Sequence, residues 1–163
     1  PFTKKPVALQ FDYKVKMSDR ENRIRATGFS KITDVPGKDY PAAILLLQKR
    51  WEDANGNVYA KRIGTMVTYY YHSTDWKNNV TYEIMYGDIT NRPEYKAHMM
   101  RLQATESYTV NSKGESVPIH EVAWGDENDV PTHMYIQFTS SHGGAYIGSP
   151  GNTLWVDNVK LVY

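Results

Sequence analysis

The chain contains no cysteine. Disulfides, thiolate metal sites and cysteine nucleophiles are therefore excluded. Long apolar runs are missing as well. The longest aliphatic stretch is Ala42 to Leu47, far short of the roughly 20 residues a membrane-spanning helix needs. Charge of one sign is scarce: 19 Lys and Arg stand against 18 Asp and Glu, a net charge of +1. Such a chain has no strong field to draw nucleic acid or anionic lipid. The short basic clusters at Lys4-Lys5 and Arg20 to Arg25 read as solvated loop and strand-edge charges. Nucleic-acid binding and membrane insertion by this domain are set aside on these grounds.

Signatures of catalysis are also thin. The histidines His72, His98, His120, His133 and His142 show no zinc-ligand spacing. There is no Gly-x-Ser-x-Gly elbow and no Gly-rich phosphate loop. In Ser140-Ser141-His142-Gly143-Gly144, serine and histidine are chain neighbours. Neighbours on an extended chain point to opposite sides and do not make a nucleophile–base pair, so a flexible loop is expected. The first residue is proline rather than methionine, which reads as a processed or excised chain.

What is present is a β pattern. The 163 residues suit one domain, 1–163, with a core large enough to stand without staples. Val7, Leu9, Phe11, Tyr13 and Val15 alternate with Ala8, Gln10, Asp12, Lys14 and Lys16, as a half-buried strand requires. Further strands are predicted over 23–31, 43–52, 62–72, 80–86, 116–124, 133–140 and 153–163. Asn55-Gly56 marks a hairpin turn, and Asp157-Asn158 marks a bulge in the last strand. Pro118 makes 116–124 an expected edge strand. Residues 95–110 are read as strand in preference to helix, and 73–79 as a polar loop carrying Trp76. Short strands with regular turn signals predict an all-β sandwich or barrel, and a sandwich of two antiparallel sheets is the reading taken.

The unusual feature is 13 tyrosines and 4 tryptophans. Such rings suit a pleated surface, and when exposed they suit sugars, because a pyranose stacks its apolar face on a flat ring while the polar tip meets hydroxyls. Tyr69, Tyr70 and Tyr71 are consecutive, so they place rings on both faces of a strand. Trp51, Tyr70, Tyr71, Trp76 and Trp124 are the candidate ligand platforms. A calcium ion, which wants several oxygen ligands, has its candidates in Asp12 and Asp157, with the Asp126–Asp129 loop as a second cluster of oxygens. For catalysis, Glu83 stands inside a strand between Tyr82 and Ile84 on the opposite face from both, and no second carboxylate is singled out as a glycosidase needs. A lyase could draw on Tyr95, Lys96, His98 and Arg101, which alternation splits between two faces.

The C-terminal residues are more specific. Ser140 to Gly144, then Ile147-Gly148-Ser149-Pro150-Gly151-Asn152-Thr153-Leu154-Trp155-Val156-Asp157-Asn158-Val159-Lys160-Leu161-Val162-Tyr163, resemble the ending of the PCMD family, carbohydrate-metabolism domains of Bacteroidota surface proteins. Pro6 to Lys14 resembles that family's opening strand, and Trp76 to Tyr86 its Trp…Tyr strand. Asn152 stands where the family has Ser, and residues 87–130 lie outside the likeness. The resemblance implies a jelly-roll sandwich like those of carbohydrate-binding modules, carried on an exported lipoprotein at the cell surface or in the periplasm beside other domains. It also implies a structural calcium at Asp157. The leading expectation is a non-catalytic module for polysaccharide or oligosaccharide. A polysaccharide lyase or glycoside hydrolase on the same scaffold, and a structural spacer or adhesion domain, are the alternatives.

Overall fold

The computed structural model describes residues 1–27, 31–99, 102 and 107–163. They form an all-β sandwich with no helix among them. The strands are β1 (Ala8–Lys16), β2 (Arg23–Thr27), β3 (Lys31–Val35), β4 (Ala42–Glu52), β5 (Val58–Tyr69), β6 (Thr74–Glu83), β7 (Met85–Tyr86), β8 (Tyr108–Val110), β9 (Ser116–Trp124), β10 (His133–Thr139), β11 (Ile147–Gly148) and β12 (Thr153–Val162). One layer has the order β12-β1-β6, and the other β10-β4-β5-β9-β8 with β7 also on β5. A small exposed sheet, β11-β2-β3, stands beside them.

Alternation drives the layering. Leu9, Phe11 and Val15 of β1 meet Ala43, Leu45 and Leu47 of β4, Met66 of β5 and Tyr70 just after it in one core. Phe11 joins the layers directly: its ring lies 5.2 Å from Tyr82 of β6 and 5.0 Å from Phe138 of β10. The intervening β4 residues, Ala42, Ile44 and Leu46, are buried on the opposite face under Tyr69, Met99 and Tyr135. Both faces of β4 are thus covered, which is why its sequence is a continuous apolar run instead of an alternating one.

The β4–β5 turn forms as the Asn-Gly pair predicts. Gly56 has φ +93°, and Asp53 Oδ1 accepts from the Asn55 and Asn57 N–H groups at 2.9 Å. The last strand bulges where expected: the register with β1 shifts between Gln10 and Asp12, and Asn158 has φ +52°.

Four expectations are corrected. Strand β9 is not an edge, because it lies between β8 and β5. Pro118 is tolerated there because it sits opposite Tyr108 of β8, one residue before pairing with β5 begins at Ile119. That β5–β9 pairing is parallel, so the larger sheet is mixed. Trp76 lies in strand β6 and not in a loop. The expected strand over 95–110 is confined to Tyr108–Val110. Upstream, successive turns (Arg92 N to Ile89 O, Tyr95 N to Arg92 O, Met99 N to Lys96 O) fold the chain back so that Met99 covers β4. The remainder of that stretch falls largely outside the described residues.

A buried polar network closes the far end of the mixed sheet. Glu121 accepts from Arg62 Nε at 2.8 Å and Gln48 Nε2 at 2.7 Å, and pairs with Arg62 Nη2. The Trp124 ring lies 5.4 Å from the Arg62 guanidinium.

Candidate functional site

Strand β5 is flanked unevenly. On the side away from β4 it pairs with β9 over Val58–Arg62 and with β7 at Gly64 and Thr65. Beyond Thr65 no strand among the described residues covers that edge. The Tyr70 N–H donates to Pro41 O on the β4 side. Alternate residues of an antiparallel strand point their backbone groups opposite ways, so those of Val67 and Tyr69 face the uncovered edge.

A cleft of about 260 Å³ opens there. Tyr69, Tyr71 and His98 supply rings, and Thr68, Glu83 and Lys96 supply polar groups. The His98 ring stacks on Tyr69 at 4.9 Å with an interplanar angle of 26° and hydrogen-bonds the Val67 backbone. Burial, reinforced by the Lys96 charge, lowers the His98 pKa, so the ring is neutral at pH 7. Burial also raises the Tyr69 phenol, which stays protonated. Tyr71 is 48% exposed and makes an edge contact with Tyr40 at 4.7 Å. The His142 ring meets Tyr69 edge-on at 5.8 Å.

One buried carboxylate sets this rim. Asp39 accepts from the Tyr40 N–H at 2.8 Å, the His142 N–H at 3.0 Å and the Ser141 hydroxyl. The Ser141 oxygen in turn accepts from the Ser149 N–H at 3.1 Å. Gly143 and Gly148 let the loop wrap this closely: a Cβ on Gly143 would stand 2.8 Å from Asp39 Oδ2, and one on Gly148 2.8 Å from Ser141 Oγ. Asn152 ties the loop's end to Asp39 O at 3.0 Å and accepts from Ser18 N at 2.8 Å. The Ser-Ser-His-Gly-Gly run is therefore an anchored loop that presents His142. Asp39 escaped the sequence reading; a lone Asp beside the Ser-Ser-His run's distant partner loop carries no spacing signal.

The predicted platforms do not converge. Tyr71 lines the cleft. Tyr70 is withdrawn as a platform: it is buried against Tyr13 at 4.6 Å, because it shares a face with Met66 of the core. Trp51 is exposed and stacks on its cross-strand partner Tyr59 at 5.9 Å. It stands at the other end of β5 from Tyr69, about 33 Å away at ~3.3 Å per residue. Trp76 is exposed on β6 and Trp124 half-buried over Arg62. Of the residues weighed for a lyase, Lys96 and His98 do share the cleft, and Arg101 lies outside the described residues.

The calcium candidates already accept hydrogen bonds. Asp12 and Asp157 are cross-strand partners, yet both Asp12 oxygens face N–H donors, Asn79 N at 2.6 Å and Asn158 Nδ2 at 2.6 Å. Asp157 Oδ1 accepts from Asn158 N. In the 126–129 loop, Asp126 and Asp129 likewise accept from backbone N–H groups, and Asp129 also from Lys49. Among the described residues no three acidic or histidine side chains group to hold a metal.

Comparison with protein-family models, curated proteins and solved structures gives no match to this chain.

The Asp12 contacts predict an acid limb in stability. The Asn158 side chain, followed by the Asn79 backbone, holds the Asp12 carboxyl below the usual carboxylate range. A depressed folded pKa contributes stability that is complete above the unfolded value, about 3.9, and is lost as pH falls through the lower folded value. Asp12→Ala is expected to flatten the fall in thermal midpoint below about pH 4. A variant whose midpoint falls with acid as steeply as the wild type's would contradict this.

Proposed function

We propose that this domain is a non-catalytic carbohydrate-binding module that seats a sugar unit in the cleft at the open edge of β5. The observation that carries the reading is the joint placement of Tyr69, Tyr71 and His98 with Thr68, Glu83 and Lys96 around about 260 Å³. Rings supply an apolar wall, and the hydroxyl, carboxylate and ammonium groups supply donors and acceptors for sugar hydroxyls. Affinity per site falls in the micromolar to millimolar range, on the order of 4 to 8 kcal/mol.

The cleft's described lining holds one carboxylate, Glu83, and hydrolysis with a pair of carboxylates needs two. A lyase would need a base at C5 and a cation for the uronate. Tyr71, His98 and Lys96 are of the right types, so product analysis belongs in the test. The PCMD resemblance supports a jelly-roll module on an exported, glycan-handling surface protein, next to other domains of the same chain.

A glycan array, with unbound and retained material analysed for new ends, tests the proposal. Selective retention of intact ligand is the expected result. New unsaturated or reducing ends would replace binding with catalysis. Silence across the array would leave a spacer or adhesion domain.

A further inference from the structure

We infer that the outer face of the β12-β1-β6 sheet carries a second sugar site, separate from the cleft and built for a pyranose that bears a carboxylate or sulfate. The inference rests on the reading of the domain as a glycan binder but uses none of the cleft's residues.

The face is created by the same alternation that makes the core. Leu9, Phe11 and Val15 of β1 point inward, which turns Lys14 and Lys16 outward. On β12, Leu154 and Val156 pack toward the core, which turns Trp155 outward. The register sets Trp155 directly opposite Lys14, and Thr153 opposite Lys16. On the other side of β1, Val15 pairs with Thr74 of β6. Lys14, Lys16 and Trp155, with Ser73, Thr74 and Asp75, line a groove of about 430 Å³.

Its chemistry favours an anion on a flat ring. Trp155 is 41% exposed, and the Lys14 ammonium stands 5.8 Å from the centre of its ring. The ammonium lies over the ring face, so a pyranose stacking on the indole would displace this flexible side chain to the sugar's rim, where it can meet an acidic group. Lys16 is two residues along the strand, about 7 Å away at ~3.3 Å per residue, within reach of the next acidic group on a chain. The groove's lining holds two ammoniums against one carboxylate, Asp75, and Ser73 and Thr74 add hydroxyls. A lysine–tryptophan contact on a bare sheet would need neither the concavity nor the second lysine. Ser73 follows Tyr71 by two residues, so the groove and the cleft flank the same β5–β6 corner.

The test is affinity electrophoresis of the whole chain through gels containing polygalacturonate, dextran sulfate or neutral dextran. The variants are Trp155→Ala, Trp155→Phe, the pair Lys14→Gln with Lys16→Gln, and Tyr71→Ala. The expected result is retardation of the wild type by at least one anionic polymer, weakened by salt. Which polymer retards it distinguishes carboxylate from sulfate. Trp155→Ala and the lysine pair each reduce the affinity at least about tenfold, while Trp155→Phe and Tyr71→Ala retain it. All these side chains are solvent-facing, and urea unfolding of each variant confirms the fold. Indifference of the wild type to both anionic polymers overturns the inference, and so does unchanged retardation of Trp155→Ala, which would mean simple charge adsorption. Failure of the cleft reading is separate: it appears as neutral-glycan binding that Tyr71→Ala does not alter.

Discussion

Asp39→Ala is expected to destabilise the domain by about 3 kcal/mol and to remove ligand binding at the cleft in the same step. The carboxylate is 5% exposed and receives the Tyr40 N–H, the His142 N–H and the Ser141 hydroxyl. Each buried donor left without an acceptor costs about 1–3 kcal/mol, and water entering the emptied space offsets part of the total. The pocket cannot collapse around the gap, because Gly143 and Gly148 already bring the loop to closest approach. For a chain of this size the thermal midpoint falls by roughly 10 °C. Asp39→Asn keeps one acceptor oxygen and falls between. Urea unfolding with circular dichroism checks the effect; a loss below about 1 kcal/mol would show that the loop is held by something other than Asp39.

Phe11→Ala is the second large effect, with an expected cost of about 3–5 kcal/mol. Phe11 is fully buried, and its ring contacts both layers through Tyr82 and Phe138. Removing it leaves a cavity at the sandwich's centre, where strands on each side are hydrogen-bonded and cannot close in. The denaturant slope should stay the same while the midpoint drops, since the surface exposed on unfolding is little altered. A cost near that of a surface substitution, within about 0.5 kcal/mol, would contradict the packing of the two layers on this residue.

Most of the fold was legible where the physics is local. The alternation of β1, the Asn55-Gly56 turn and the Asp157-Asn158 bulge each follow from residue-by-residue preferences, and the structure shows all three. What failed depended on partners far along the chain. Pro118 suggested an edge, but its missing N–H falls just outside the β5 ladder. Trp76 read as loop because Asp75, Lys77, Asn78 and Asn79 surround it, yet β1 pairs with that stretch across two register irregularities. The Arg62–Glu121 pair joins residues 59 positions apart and left no trace in the sequence pattern.

The cleft was half visible. Three consecutive tyrosines do place rings on both faces, and Tyr69 and Tyr71 take the outer one. Selecting Tyr70 as well was the error, since alternation alone does not say which face is the core. Treating their segment as a strand puts Lys96 and His98 on one face and Tyr95 and Arg101 on the other, with nothing to aim either pair at β5. The turns at 89–99 remove that alternation and bring Lys96 and His98 to the cleft. Asp39 could not be found by spacing, because its role depends on a loop more than 100 residues later.

Affinity electrophoresis of the wild-type chain and Tyr71→Ala, run side by side through neutral polysaccharides with the gel matrix assayed for new chain ends, tests the binding proposal most directly. Loss of the exposed ring removes roughly 50 Å² of apolar contact, worth about 1.3 kcal/mol at 25 cal/mol per Å², or about tenfold in affinity. The account predicts that at least one polysaccharide retards the wild type, that Tyr71→Ala weakens this by about tenfold or more, and that no new ends form. Retardation that Tyr71→Ala leaves untouched, or the appearance of new ends, would contradict it.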